Sequence, residues 1–280
     1  DDAKINKEEL DYVIVAHNFG DVRNDNRQSD IMPSIASRIK HKLDIHNSDT
    51  VAYDIIFGCP GWIQGMIQAS YYIRSGDANK ILIVGADSLS RLSDPHDRDG
   101  MIYSDGAGAV ILEAKEGEEQ TGILTHKSKS HTCEEAYYMW MGESFHPKEK
   151  GKALYLKMNG RKVFEYAMKH VPQVVKDTLD QANVPLEQVK RVLIHQANKK
   201  MDEGMLKRLF KLYDKKEIPE HIMPMTISEL GNNSVATVPI LYNMLMEGKF
   251  EDNIPGVGDH IVFVSVGAGM NINCIVYKMP

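Results

Sequence analysis

Short apolar runs alternate along the chain with longer stretches in which apolar positions recur every three to four residues. Segments 12–16 (YVIVA), 81–86 (ILIVGA), 109–112 (AVIL), 192–194 (VLI) and 261–266 (IVFVSV) are apolar at consecutive positions, as strands buried on both faces are. Residues 53–57 also read as a strand. Stretches 33–44, 60–75, 160–182, 199–213 and 236–247 predict helices. Strands alternating with helices predict an α/β protein with much of its sheet parallel. Residues 116–151 are polar and irregular, and predict an inter-half connection or a surface excursion.

The pattern repeats. Leu10-Asp11-Tyr12-Val13-Ile14-Val15 parallels Val189-Lys190-Arg191-Val192-Leu193-Ile194, and Phe57-Gly58-Cys59 parallels Leu230-Gly231-Asn232. Each of the latter triplets leads into a helix that ends at a glycine, Gly76 or Gly248, and then into a strand. Two divergent copies of one β/α unit account for this, with halves at 1–120 and 121–280. Cys59 and Asn232 then occupy equivalent turns, and His195 sits just past a strand end. In α/β sheets ligands gather beyond the carboxyl ends of strands, so these three groups are candidates for one cleft.

Composition narrows the function. The 280 residues carry 33 Lys+Arg against 39 Asp+Glu, a net charge of −6, which argues against a general nucleic-acid binder. No apolar run approaches the roughly 20 residues of a membrane span. Cys59, Cys133 and Cys274 are odd in number and lack C-x-x-C spacing, so a reducing, cytoplasmic setting is expected. No His, Cys and Asp spacing suits a metal, and neither Asp105-Gly106-Ala107-Gly108 nor Gly267-Ala268-Gly269 is a phosphate loop.

Taken singly, the candidate residues are ambiguous. Cys59 precedes Pro60-Gly61-Trp62 and is expected at a helix N-terminus, where the helix dipole lowers a thiol pKa; a buried inert cysteine is the alternative. His195, in Ile194-His195-Gln196-Ala197-Asn198, is a ligand-facing or a satisfied core histidine. Asn232, in Gly231-Asn232-Asn233-Ser234, is a functional amide or a turn residue.

Together, in this order, these three segments resemble the Cys–His–Asn signature of the β-ketoacyl-acyl carrier protein synthase III family of thiolase-fold condensing enzymes. The segments Asp94-Pro95-His96-Asp97-Arg98, Ser104-Asp105-Gly106-Ala107-Gly108-Ala109 and Tyr155-Leu156-Lys157-Met158-Asn159-Gly160 extend the resemblance through almost the whole chain. It implies two duplicated halves in an α-β-α-β-α arrangement, the N-terminal half incomplete at its start. It implies an acyltransferase that starts fatty-acid chains by decarboxylative Claisen condensation. Cys59 would accept the acyl group, His195 and Asn232 would stabilise the malonyl enolate, and the backbone N–H groups of Cys59 and Ala268 would hold the acyl oxyanion. Arg98 would bind coenzyme A, which enters as a thioester substrate, with no permanent cofactor. Met32 would reach the partner's acyl pocket in a homodimer. Pro60-Gly61-Trp62, Ala268 and Asn233 depart from the family pattern, and the alternatives are a related condensing enzyme of secondary metabolism or a non-catalytic fragment.

Between residues 199 and 216 there are seven basic and three acidic residues. At about 100° per residue, Lys200, Lys207, Lys211 and Lys215 fall within roughly an 80° stripe of one helix, a surface suited to acidic acyl carrier protein. The opening Asp1-Asp2-Ala3-Lys4 predicts a truncated or processed chain whose N-terminal half leaves a sheet edge or apolar face uncovered.

Overall fold

A computed structural model of the protein describes residues 3–148, 151, 153–250 and 254–280; Asp1 and Asp2 lie outside this set. Its strands are β1 (Tyr12–His17), β2 (Asp21–Val22), β3 (Ser29–Asp30), β4 (Val51–Ile56), β5 (Lys80–Ser88), β6 (Asp105–Glu113), β7 (Gly122–Ser130), β8 (Met139–Gly142), β9 (Tyr155–Met158), β10 (Val189–Ile194), β11 (His260–Gly267) and β12 (Asn271–Lys278). The helices are α1 (Ile35–Lys42), α2 (Gly61–Ser75), α3 (Gly160–Ala182), α4 (Lys199–Lys211), α5 (Ile227–Leu230) and α6 (Thr237–Met246).

One four-stranded sheet runs β4-β1-β5-β6 and the other β10-β11-β12-β7. In the first, β1 is parallel to β4 and β5, and β5 is antiparallel to β6. In the second, β10 is parallel to β11, and β11 is antiparallel to β12. The triplets β1-β5-β6 and β10-β11-β12 thus share one connectivity. They differ at the flanks: β7 covers the outer edge of β12, whereas no strand among the described residues covers the outer edge of β6.

Side-chain parity along the buried strands sorts the layers. On β1, Val13 and Val15 pack with Ala36 of α1, while Ile14 and Ala16 pack with Trp62, Ile63 and Met66 of α2. On β11, Ile261 and Phe263 join that same α2 layer, while Val262, Val264 and Val266 face Val171, Val175 and Leu179 of α3 and Met205 and Leu209 of α4. The order is therefore α1, first sheet, α2 with α6, second sheet, α3 with α4. The central helices share one core with both sheets, so the carboxyl ends of β1, β4, β10 and β11 open on a common side.

The stretch read as irregular, 116–151, holds two strands among its described residues. These are β7, a full member of the second sheet, and β8, which pairs with β9 in a hairpin. The sequence of β7, Gly-Ile-Leu-Thr-His-Lys-Ser-Lys-Ser, carries its apolar residues at one end, and its last three residues are exposed. A strand at a sheet edge needs no continuous apolar run.

Candidate active site

Cys59 follows the end of β4 and immediately precedes Pro60, the N-cap of α2. The preceding turn needs Gly58, which has a φ of +69°; a Cβ there would lie 2.9 Å from the Ala268 carbonyl oxygen. A Cβ on Gly267 would lie 2.6 Å from the Cys59 backbone nitrogen. The loop after β11 can therefore approach the nucleophile turn only with glycines at both contacts, and this brings Ala268 against Cys59.

Burial pushes the Cys59 thiol up to about 11, while a hydrogen bond from Ser234 Oγ to Sγ at 3.4 Å pulls the other way. The lowering expected from the helix end is therefore opposed by desolvation of the buried thiol.

His195 stands one residue past β10, held by its backbone N–H donating to the Val264 carbonyl at 2.9 Å. It is 2% exposed, and Nδ1 has no hydrogen-bond partner among the described residues. Burial lowers its pKa to about 4, so the ring is neutral near pH 7 and retains one N–H to donate. Asn232 follows Gly231, which has a φ of +69°; a Cβ there would meet the Ile102 carbonyl at 2.9 Å. Asn232 bridges Ile102 and Ser104 through its backbone. Its Oδ1 accepts from the Ser234 backbone N–H at 2.9 Å, which leaves the Nδ2 amide as the donor available to a ligand.

Cys59, His195, Asn232 and Ala268 line one cavity of about 660 Å³. Its walls are largely apolar: Phe19, Phe57, Leu89, Met139, Trp140 and Leu156 contribute. A thiol nucleophile, two neutral donors and a backbone loop around an apolar space suit acyl transfer. Among the described residues, no group of three His, Cys, Asp or Glu side chains is arranged to hold a metal.

Residues 53–132 match the 3-oxoacyl-[acyl-carrier-protein (ACP)] synthase III family and residues 179–279 match its C-terminal family. The β-ketoacyl-[acyl-carrier-protein] synthase III of Staphylococcus epidermidis is 32% identical over 281 aligned positions, covering 99% of this chain and 79% of that protein. The chain belongs to the β-ketoacyl-acyl carrier protein synthase III family. Among solved structures, the Thermus thermophilus synthase III superposes with a TM-score of 0.81 at 26% identity, covering 98% of this chain and 78% of that one. The Aquifex aeolicus synthase III gives 0.78 at 28% identity, covering 99% and 79%. The thiolase-like fold expected from the sequence is thereby established.

The remaining family positions fall as follows. Arg98 opens a 3-10 turn at Arg98–Ile102, is exposed and lines the cavity. Met32 is 85% exposed and does not line the cavity of its own chain. Ala197, Asn198 and Met201, at the start of α4, line the cavity, and Lys200, Lys207 and Lys211 are exposed along that helix. Lys215 is not part of the stripe. The helix ends at Lys211, Asp214 takes a φ of +56°, and Lys215 turns to Glu187 at 2.6 Å.

Sequence reasoning missed two groups. The β8–β9 hairpin brings Met139, Trp140 and Met141 to the cavity wall from a segment read as irregular, and Leu156 of β9 joins them there. Asn18, Asp87 and Ser234 form a polar cluster against Cys59. Asn18 lies just past the carboxyl end of β1 and Asp87 near that of β5, so the strand-end rule applied to every strand was the signal available.

Proposed function

We propose that this chain primes fatty-acid chains by joining an acyl thioester to a malonyl thioester on acyl carrier protein, with loss of carbon dioxide. The observation that carries this is the convergence of Cys59, His195 and Asn232 on one apolar cavity, in a chain of this family. The Cys59 sulfur attacks the acyl-CoA carbonyl, the carbon–sulfur bond to coenzyme A breaks, and the thiol proton leaves with coenzyme A. The Cys59 and Ala268 backbone N–H groups hold the oxyanion of that step. Malonyl-carrier thioester then enters. Its carboxylate leaves as carbon dioxide while the His195 N–H and the Asn232 amide hold the enolate oxygen. The enolate carbon attacks the acyl carbonyl, and the bond to Cys59 sulfur breaks, freeing the thiolate.

Arg98 at the cavity mouth is read as a contact for coenzyme A. Lys200, Lys207 and Lys211 are read as the docking face for the acidic carrier. A homodimer is supported by the outer edge of β4, which has no partner strand among the described residues, and by the exposed Ile31, Met32 and Ile56, at 56%, 85% and 68%. Ile56 also lines the cavity, so a partner covering that edge would complete the acyl pocket, and Met32 is read as reaching the partner's pocket. The 1–120 and 121–280 halves are read as one duplicated unit. Three free cysteines fit a reducing, cytoplasmic setting. The test is intact-mass analysis after acyl-CoA treatment: the parent should gain one acyl group, Cys59→Ser none that survives as a thioester, and malonyl carrier should discharge it. A thioester on Cys133 or Cys274 instead would overturn the assignment.

A further inference from the structure

Burial works against Cys59 as a nucleophile, since the thiol is pushed up to about 11. Something must favour the thiolate. The side chain bonded to the sulfur is Ser234, whose Oγ donates to Sγ at 3.4 Å. A hydroxyl has a single hydrogen, so what the rest of Ser234 Oγ faces decides whether that hydrogen is free for sulfur. Asn18 Nδ2 donates to Ser234 Oγ at 2.9 Å. The same Nδ2 donates its second hydrogen to Asp87 Oδ2 at 2.7 Å, and the Asn18 backbone N–H donates to Asp87 Oδ1 at 2.8 Å. The carboxylate accepts from the NH₂ end of Asn18 and so fixes which end of the amide faces Ser234. An NH₂ group can only donate, so Ser234 Oγ accepts there, and its one hydrogen has two acceptors in reach, the Asp87 carboxylate and the Cys59 sulfur at 3.4 Å. Ser234 is also anchored to Asn232 through its backbone N–H.

We propose that Ser234 is a further catalytic residue of this site: its hydroxyl hydrogen is held on Cys59 Sγ and stabilises the thiolate before acylation. Asn18 and Asp87 act through it as positioning residues. The inference rests on Cys59 being the acylated residue. Asp87 from β5, Tyr103 before β6 and His195 past β10 are the titratable groups around the sulfur, and His17 of β1 acts on Asp87. Beside these titratable groups, Ser234 is the side chain hydrogen-bonded to the sulfur among the described residues.

The test follows alkylation of Cys59 by iodoacetamide across pH in the full chain, read on the Cys59 peptide by mass spectrometry because Cys133 is exposed. Two variants remove the hydroxyl. Ser234→Ala keeps Cβ, and Ser234→Gly also suits the local φ of +53°. Both should raise the alkylation midpoint by about one pH unit, with about tenfold slower labelling and acyl-CoA acylation below it. Thermal unfolding of Ser234→Gly close to that of the parent would show that the fold survives. An unchanged midpoint in a folded Ser234→Gly overturns the proposal while leaving Cys59 as nucleophile. Failure of acyl-CoA to label Cys59 in the parent overturns the nucleophile reading, and this inference with it.

Discussion

Lys157 Nζ lies 2.5 Å from Asp94 Oδ2, and neither side chain reaches solvent. Asp94 also accepts from the backbone N–H groups of His96 and Phe145 and from Ser144 Oγ. Burial alone would raise the Asp94 carboxyl, but the Lys157 ammonium and these hydrogen bonds hold it well below the usual carboxylate range. The pair ties β9 to the segment leading into the Arg98 turn, and both border the cavity. Lys157→Met leaves a buried carboxylate unpaired, and should cost about 3–5 kcal/mol by urea unfolding. Because the folded pKa is depressed, the stability Asp94 contributes is present above its unfolded value of about 4 and is lost as pH falls further. The parent should therefore lose stability on acidification below about pH 4 more steeply than Asp94→Asn; parallel acid curves would refute the account.

The neutral state of His195 sets a second expectation. With its pKa lowered to about 4, the ring donates as imidazole across the working range. His195→Ala and Asn232→Ala should still take an acyl group onto Cys59, but should decarboxylate malonyl thioester on the order of 100-fold more slowly. The parent's decarboxylation rate should show no step near pH 6.5, the value of an ordinary histidine. Stability should also fall as pH drops from about 6.5 toward 4, since the unfolded chain takes up a proton that buried His195 refuses. Near-parent decarboxylation by either variant would remove the enolate role.

The layered fold was legible because β1, β5, β10 and β11 are buried on both faces and announce themselves as unbroken apolar runs. β7 was not, because an edge strand carries lysines and serines without penalty. Cys59 and His195 were found because each follows a strand; Asn232, expected at a turn equivalent to that of Cys59, instead follows the short helix α5, and its Gly-Asn-Asn-Ser segment is what marked it. Ser234, Asn18 and Asp87 were not singled out, because what joins them is a set of hydrogen bonds across as many as 216 positions, which no local spacing encodes. Lys215 was misassigned because helical periodicity was carried past Lys211, where the left-handed Asp214 stops the helix.

The exposed Ile31 and Met32 beside the free edge of β4 predict the effect of charge at that surface. Replacing both with lysine should weaken self-association at least tenfold, about 1.4 kcal/mol, by light scattering over a dilution series. An unchanged association state would remove this face from the interface.

The last expectation separates Lys215 from the three lysines on α4. Lys200 follows the cavity-lining Asn198 by two residues, and Lys207 and Lys211 continue the exposed helix face about 10 and 16 Å further on, at 1.5 Å per residue. Lys215 is paired with Glu187 and stands beyond the helix end. Reversing charge at Lys200 and Lys207 should raise the KM for malonyl carrier protein and flatten its salt dependence, because steering of an acidic partner is lost. A small malonyl thioester, which needs no docking face, should be turned over as before. Lys215→Glu should leave both substrates nearly unaffected, its cost falling on the pair with Glu187, which as an exposed pair contributes about 1 kcal/mol or less. Equal losses for carrier and small thioester in the double reversal would indicate damage to the site itself. A Lys215→Glu effect as large as that of the α4 lysines would restore the four-residue stripe read from the sequence.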